Sequence, residues 1–132
     1  MAKYVYPAVF TPEAGGGYSI NFPDFESCYT SAETLEDGMT MANDVLCLTL
    51  YSLEEDGGEI PAPSKIADIE VSDGEFTTLI CCDTIEYRKF YDNRAVKKTL
   101  TIPSWLNTMA ERQGINFSTT LQTALKEQLN IQ

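Results

Sequence analysis

The stretch Val96–Ile102, VKKTLTI, alternates along its length and is followed at once by Pro103, so it reads as a single short strand. Val96, Lys98, Leu100 and Ile102 share one side, and Lys97, Thr99 and Thr101 form a polar face on the other. Only helical patterns follow it. Ser104 is placed to cap a helix bearing Trp105, Leu106, Met109 and Ala110, which Gly114 ends as a C′ residue. Asn116 is a good N-cap for a second helix carrying Leu121, Ala124, Leu125 and Leu129. A lone strand has no hydrogen-bonding partner within such a unit, and so small a core is marginal by itself. Pairing with the same strand of a second chain answers both problems, giving a two-stranded antiparallel ribbon over four helices with two-fold symmetry. Leu100, Ile102, Trp105, Met109, Leu121 and Leu125 are then the expected dimer contacts, with further pairing of dimers into a tetramer left open.

Charge divides the chain near the same place. From Met1 to Asp92 there are eighteen Asp and Glu against four Lys and Arg, a net −14; from Asn93 to Gln132 there are two against five, a net +3, which together give the chain's −11. An acidic body joined to a mildly basic tail predicts two partners of opposite character, one basic and one polyanionic. The expected domains are therefore 1–92 and 93–132. The hydrophobic fraction of 43% is ordinary for globular protein, so the acidic part is expected to fold rather than to be disordered.

The acidic part begins with period-two patterning. Tyr4–Phe10 reads as a strand that Pro7 places near an edge or bulge, EAGGG at 13–17 as a tight turn, and Tyr18–Phe22 as a second strand with Tyr18, Ile20 and Phe22 on one face. A loop around Pro23 and Asp24 leads to a third strand near Cys28–Ala32. At Thr34 the period changes: Leu35, Met39, Ala42, Leu46, Leu50 and Leu53 trace one face of a helix with Thr34 as N-cap and Asp37 at N3. Gly57-Gly58 and the loop IPAPS close it. Ile66–Val71, a turn at Asp73-Gly74, a strand over Glu75–Asp83 and a short helix over Asp83–Tyr91 complete a β-β-β-α-β order. The expected class is α+β, a mixed or antiparallel sheet with one main helix on one face.

Several chemistries find no residues to carry them. There is no histidine, the commonest general base and metal ligand, and no glycine-rich phosphate loop. Cys28, Cys47, Cys81 and Cys82 show no C-x-x-C spacing and read as small buried hydrophobes, with Cys81 and Cys82 on opposite faces of a strand. Asp24, Glu26, Asp73, Glu75 and Asp83 could in principle gather around Mg²⁺ as in a nuclease, but acidic residues are common in turns without any site. No run approaches the roughly 18 apolar residues of a membrane span, and the start lacks a signal-peptide core. The expectation is a cytoplasmic protein that is not an enzyme and holds no metal or cofactor.

The order VKKTLTIP, WLNTMAERQG, INFSTTLQTALKEQL resembles the ribbon-helix-helix family of bacterial repressors, whose ribbon enters the DNA major groove. That resemblance implies Lys97, Thr99 and Thr101 as base-facing residues, with Arg94 beside them. Lysine can donate to guanine edges, and threonine can bond a base edge or touch a thymine methyl. It further implies that the backbone amides of Phe117, Ser118 and Thr119 clamp a phosphate. With a net charge of only +3, the specificity must come from those side chains.

Five features in order within residues 4–64 resemble the N-terminal domain of the HicB family of antitoxins: YPAVF, a glycine turn before YSINFPDF, a Cys before a small-residue segment, TLED opening a long helix, and EDGGEIPAPS closing it. The resemblance implies a partial RNase H-like fold without catalysis, a basic mRNA-cleaving HicA-like toxin as partner, and repression of the shared operon through operator DNA. The expected toxin-facing residues, from charge and exposure, are Asp24, Phe25 and Glu26 in a loop and Glu33, Glu36 and Asp37 at the helix start. The alternatives are a stand-alone ribbon-helix-helix repressor without a toxin and an RNase H-like metal-dependent nuclease.

Overall fold

The computed structural model describes residues 2–131. It separates into two compact units, Met1–Arg94 and Ala95–Gln132. In the first, strands β1 (Lys3–Pro12), β2 (Tyr18–Asn21) and β3 (Tyr29–Ala32) are followed by the helix α1 (Leu35–Asp56). A 3₁₀ turn at Ile66–Asp68, strand β4 (Phe76–Asp83) and helix α2 (Thr84–Tyr91) complete it. Gly16 and Gly17, at φ +95° and +83°, turn β1 into β2, and a Cβ on Gly17 would stand 2.7 Å from the Ala32 carbonyl oxygen.

The sheet order is β3-β2-β1-β4 and every neighbouring pair is antiparallel, so of the two expected sheet types the mixed one is not formed. The reason lies in the long loop after α1. That helix delivers the chain to the end of the sheet where β1 begins, with Glu54 hydrogen-bonded to Tyr4. A strand starting there would run parallel to β1. Instead the loop travels back along the sheet, its Pro61 carbonyl accepting from the Tyr6 hydroxyl and its Ser64 donating to Asp24. It arrives where the Thr11 hydroxyl donates to Glu75, 2.6 Å away. β4 therefore runs opposite to β1, from Phe10↔Phe76 to Lys3↔Asp83. Residues 66–71 belong to this return path and form no strand.

One face of the sheet and one side of α1 make the core: Tyr6, Ala8, Phe10, Ile20, Phe22 and Ile80 against Ala42, Leu46 and Leu50. The helical stripe is corrected at its start, where Leu35 and Met39 are exposed and Gly38 is buried in their place. A Cβ at Gly38 would lie 3.0 Å from a Phe10 ring carbon, so the hydrogen lets the helix approach the sheet more closely than Leu35 or Met39 could. The caps follow the sequence. Thr34 accepts from the Asp37 amide, and Gly57 at φ +67° takes the left-handed C-cap conformation.

The second unit has two regular elements, α3 (Ser104–Arg112) and α4 (Phe117–Gln128), with Gly114 at φ +67° between them. Ser104 is the first helical residue rather than the cap; Pro103 precedes it and makes no capping bond. Asn116 caps α4 by accepting from the Thr119 amide at 3.0 Å. Val96–Ile102 has no strand assignment, because a strand requires a hydrogen-bonded neighbour that the described chain does not provide.

Candidate functional sites

None of the described residues of the second unit is buried. Val96 is 80% and Trp105 65% exposed, and Leu100, Ile102, Met109 and Leu125 are exposed with them, while Leu121 is half-buried. All of these but Val96 are the apolar side chains expected at the dimer contact. A packed unit of this size would cover most of them; here they are left to solvent. Lys97, Thr99 and Thr101 lie on the unpaired stretch, all exposed.

At the start of α4 the Asn116 side chain occupies the Thr119 amide, while the amides of Phe117 and Ser118 belong to the first turn, whose N–H groups have no partner within the helix. Arg94 closes the first unit, where its Nε donates to Asp92 at 3.0 Å. That bond raises the Arg94 pKa and, together with the Tyr51 hydroxyl, lowers that of Asp92.

In the first unit the expected toxin-facing residues divide into two kinds. Asp24 accepts from the Ser64 amide at 3.0 Å and from its hydroxyl, and so fastens the FPDF loop to the returning loop. Phe25 packs its ring 4.7 Å from that of Tyr6 and is only half-exposed. Glu26, Glu33, Glu36 and Asp37 are exposed, with the last two in the first turn of α1, where the helix N-terminus favours negative charge.

The carboxylates considered for a metal are mostly engaged elsewhere. Asp83 caps α2 by accepting from the Ile85 and Glu86 amides, and Glu75 accepts from Thr11 and the Ser72 amide, bonds that lower its pKa. Among the described residues no three Asp, Glu or Cys side chains converge on a common point that could hold a metal ion. Cys28, Cys47 and Cys82 are buried free thiols and Cys81 is exposed, so the adjacent pair does point to opposite faces. A hydrogen bond with Cys47, reinforced by burial, holds Cys82 protonated.

Sequence reasoning missed a junction that sets the position of α2. Glu54, near the end of α1, accepts from the Tyr4 hydroxyl at 2.8 Å, the Thr84 hydroxyl at 2.9 Å and Arg88 Nη2 at 3.1 Å. Burial opposes the Glu54 charge, but the hydrogen bonds donated to it, these three among them, outweigh that and its pKa is lowered. Burial and the neighbouring carboxylate push the Tyr4 phenol up to about 12. Arg88 also pairs with Glu55 and lies 4.6 Å over the Tyr51 ring. A chain of rings, Tyr51–Tyr87–Tyr91 with Phe90 beside it, runs along α2 at centroid spacings of 4.6–5.4 Å. The readable signal was Tyr87, Phe90 and Tyr91 at i, i+3 and i+4, one face of a short helix.

With this geometry in hand, comparison with known proteins identifies the lineage. The family model described as "HicB_like antitoxin of bacterial toxin-antitoxin system" matches residues 6–124, across both units. The chain belongs to the HicB-like antitoxin family. A relative, antitoxin HicB 1 of Photorhabdus laumondii subsp. laumondii, is 34% identical over 61 residues, 46% of this chain and 39% of the relative's own length. One chain of a toxin–antitoxin complex from Streptococcus pneumoniae is 31% identical, with a TM-score of 0.62 over 96% of this chain and 99% of that one. The Burkholderia pseudomallei antitoxin HicB, at 17% identity and a TM-score of 0.55, covers 96% of this chain and 98% of its own and shares the fold. No helix among the described residues is long and apolar enough to cross a membrane.

Proposed function

We propose that this chain is the antitoxin of a type II toxin–antitoxin pair: its first unit occludes a small basic mRNA-cleaving toxin of the HicA kind, and its second unit binds operator DNA as a dimer. The observation that carries the reading is a family match spanning two units of unlike surface, one with net charge −13 (five Lys and Arg against eighteen Asp and Glu over 1–94) and a closed core, the other with its apolar side chains uncovered. An acidic body competes with RNA for a basic nuclease, because complementary potential speeds encounter and rejects like-charged rivals. Glu26, Glu33, Glu36 and Asp37 supply exposed charge for that, while Asp24 and Phe25 hold their loop in place. No step of this mechanism requires chemistry from the chain itself.

For the second unit, two copies of Val96–Ile102 pair as an antiparallel ribbon. Leu100, Ile102, Trp105, Met109, Leu121 and Leu125 are buried between the copies, and Lys97, Thr99 and Thr101 face the major groove. The amides of Phe117 and Ser118 hold a backbone phosphate on each side.

Two measurements test the proposal. The product of the neighbouring reading frame, expressed with this chain, should be a small basic protein that co-purifies with it and whose RNase activity disappears in the complex; unrestrained RNA cleavage by the mixture would refute the antitoxin role. In gel shifts of the upstream DNA, the Lys97→Ala/Thr99→Ala double variant should lose sequence-specific retardation. Undiminished binding would remove the ribbon from the interface.

A further inference from the structure

The groove bounded by β1, β4, α1 and α2, about 730 Å³, is lined largely by apolar and aromatic side chains, and two other concavities of the first unit are more polar. Those two mix Val9, Ile20 and Ile69 with polar side chains such as Thr11, Ser19, Asn21 and Glu75, of which Thr11 and Glu75 bond each other. In this groove the buried sulfurs of Cys47 and Cys82 form part of the floor, Val5 and Tyr87 part of the wall, and Phe90 and Tyr91 a rim at 78% and 63% exposure. Two aromatic rings left in water beside an apolar hollow are the composition of an anchor site, since protein interfaces concentrate their binding energy in buried aromatic side chains. The rings are also held ready. Arg88, fixed by Glu54, Glu55 and the Tyr51 ring, sets α2 on α1, so little order remains to be gained on binding.

Charge selects the occupant. Asp44, Asp83 and Glu86 stand around the groove, with Lys3 the one cation among its lining residues. A second copy docking here with two-fold symmetry would set this acidic rim against its own duplicate, and like charges across an interface oppose association. A basic protein would place cations there instead. We propose that the α1–β4–α2 groove, rimmed by Phe90 and Tyr91, is the apolar anchor point for a basic protein partner, while the acidic residues at the start of α1 steer that partner in without holding it. The proposal rests on the antitoxin reading and divides its labour: residence time comes from the groove, and encounter rate from the charge.

The test measures association and dissociation rates of the neighbouring frame's basic product on immobilised full-length chain. Phe90→Ala and Phe90→Ala/Tyr91→Ala are compared with Glu36→Gln/Asp37→Asn. Phe90 touches only Tyr91 among the rings, so its truncation leaves the Glu54–Arg88 junction in place, and an unchanged melting curve verifies this. The aromatic variants are expected to dissociate about 10–100-fold faster with association within about twofold of the original. The charge variant should associate about 3–10-fold more slowly, with a flatter salt dependence and unchanged dissociation. Unchanged dissociation in both aromatic variants overturns the groove assignment while leaving the antitoxin reading intact. A lower assembly mass of the isolated chain on Phe90→Ala overturns it too, because a second copy would then be the occupant. If the unaltered chain does not bind the basic protein at all, the antitoxin reading fails first and the groove assignment with it.

Discussion

The two units carry amphipathic patterns of similar clarity but use them differently. In the first, Leu46 and Leu50 of α1 close on Tyr6, Ala8, Phe10 and Ile80, and the pattern is satisfied within one chain. In the second, Trp105 and Met109 of α3, Leu125 of α4 and Leu129 at its C-cap lie on equally regular stripes and remain in water. A periodic stripe specifies which face must be covered; it does not specify by what. That information lies in what else the chain can offer. The first unit has four strands to lay beneath α1, whereas the second has one unpaired stretch, which is why the proposed complement is a second copy.

The largest effect should separate the units completely. Leu100→Asp/Ile102→Asp places charges in the proposed ribbon contact and is expected to abolish dimers and DNA binding, a loss of more than about 100-fold, because a desolvated unpaired charge costs several kcal/mol. Sedimentation and gel shift would read it, and binding to the basic partner should survive. Dimers persisting in this variant would mean the two units do not divide the work in this way.

Next in size, Leu46→Ala should lower the denaturant stability of the first unit by about 2–5 kcal/mol, the usual cost of a cavity in a closed core. The same truncation at Leu125, which a single chain leaves exposed, should act mainly by making stability more dependent on protein concentration. Equal, concentration-independent losses would erase the contrast.

Glu54→Gln should cost about 1–3 kcal/mol by weakening the acceptor that Tyr4, Thr84 and Arg88 share. Its pH dependence has a definite sign. The folded pKa of Glu54 is lowered, so its stabilisation is complete above the unfolded carboxylate value of about 4.3 and is lost as pH falls through the lower folded value. Urea titrations at neutral and acidic pH should show the gap between original and variant narrowing on acidification. The smallest effect, about 1 kcal/mol, is expected for Asn116→Ala, which removes the α4 cap and frees the Thr119 amide. Calorimetry of the purified chain would measure it.

What the sequence showed was set by distance along the chain. Thr34, Gly57, Gly114 and Asn116 announced their caps because each acts within a turn of its own position. The exposed Leu35 and the buried Gly38 were not legible, since their exchange depends on how closely α1 lies against Phe10, residues far away in sequence. The antiparallel β4 was likewise decided by contacts from the returning loop to Tyr6, Thr11 and Asp24, none of which leaves a local pattern. For the candidate sites, the exposed acids at the helix start could be read from charge alone. The aromatic face of α2 could be read as well, but not its docking on Tyr51 or the groove beside it, because those depend on the pairing of Glu54 with Arg88 across 34 residues.

The pairing of β1 with β4 also sets a timetable for synthesis. The bonds between Ala2 and Thr84 join residues 82 apart, so the sheet cannot close until β4 has been made. At about 5–20 residues per second, β1 waits on the order of 4–16 s with one backbone edge uncovered. Its run of Tyr, Val and Phe is the kind of strand that recruits neighbours during such a delay. The early β1–β2–β3 meander, built from contacts close in sequence, can form in microseconds and covers the opposite edge over Val9–Pro12 while translation continues.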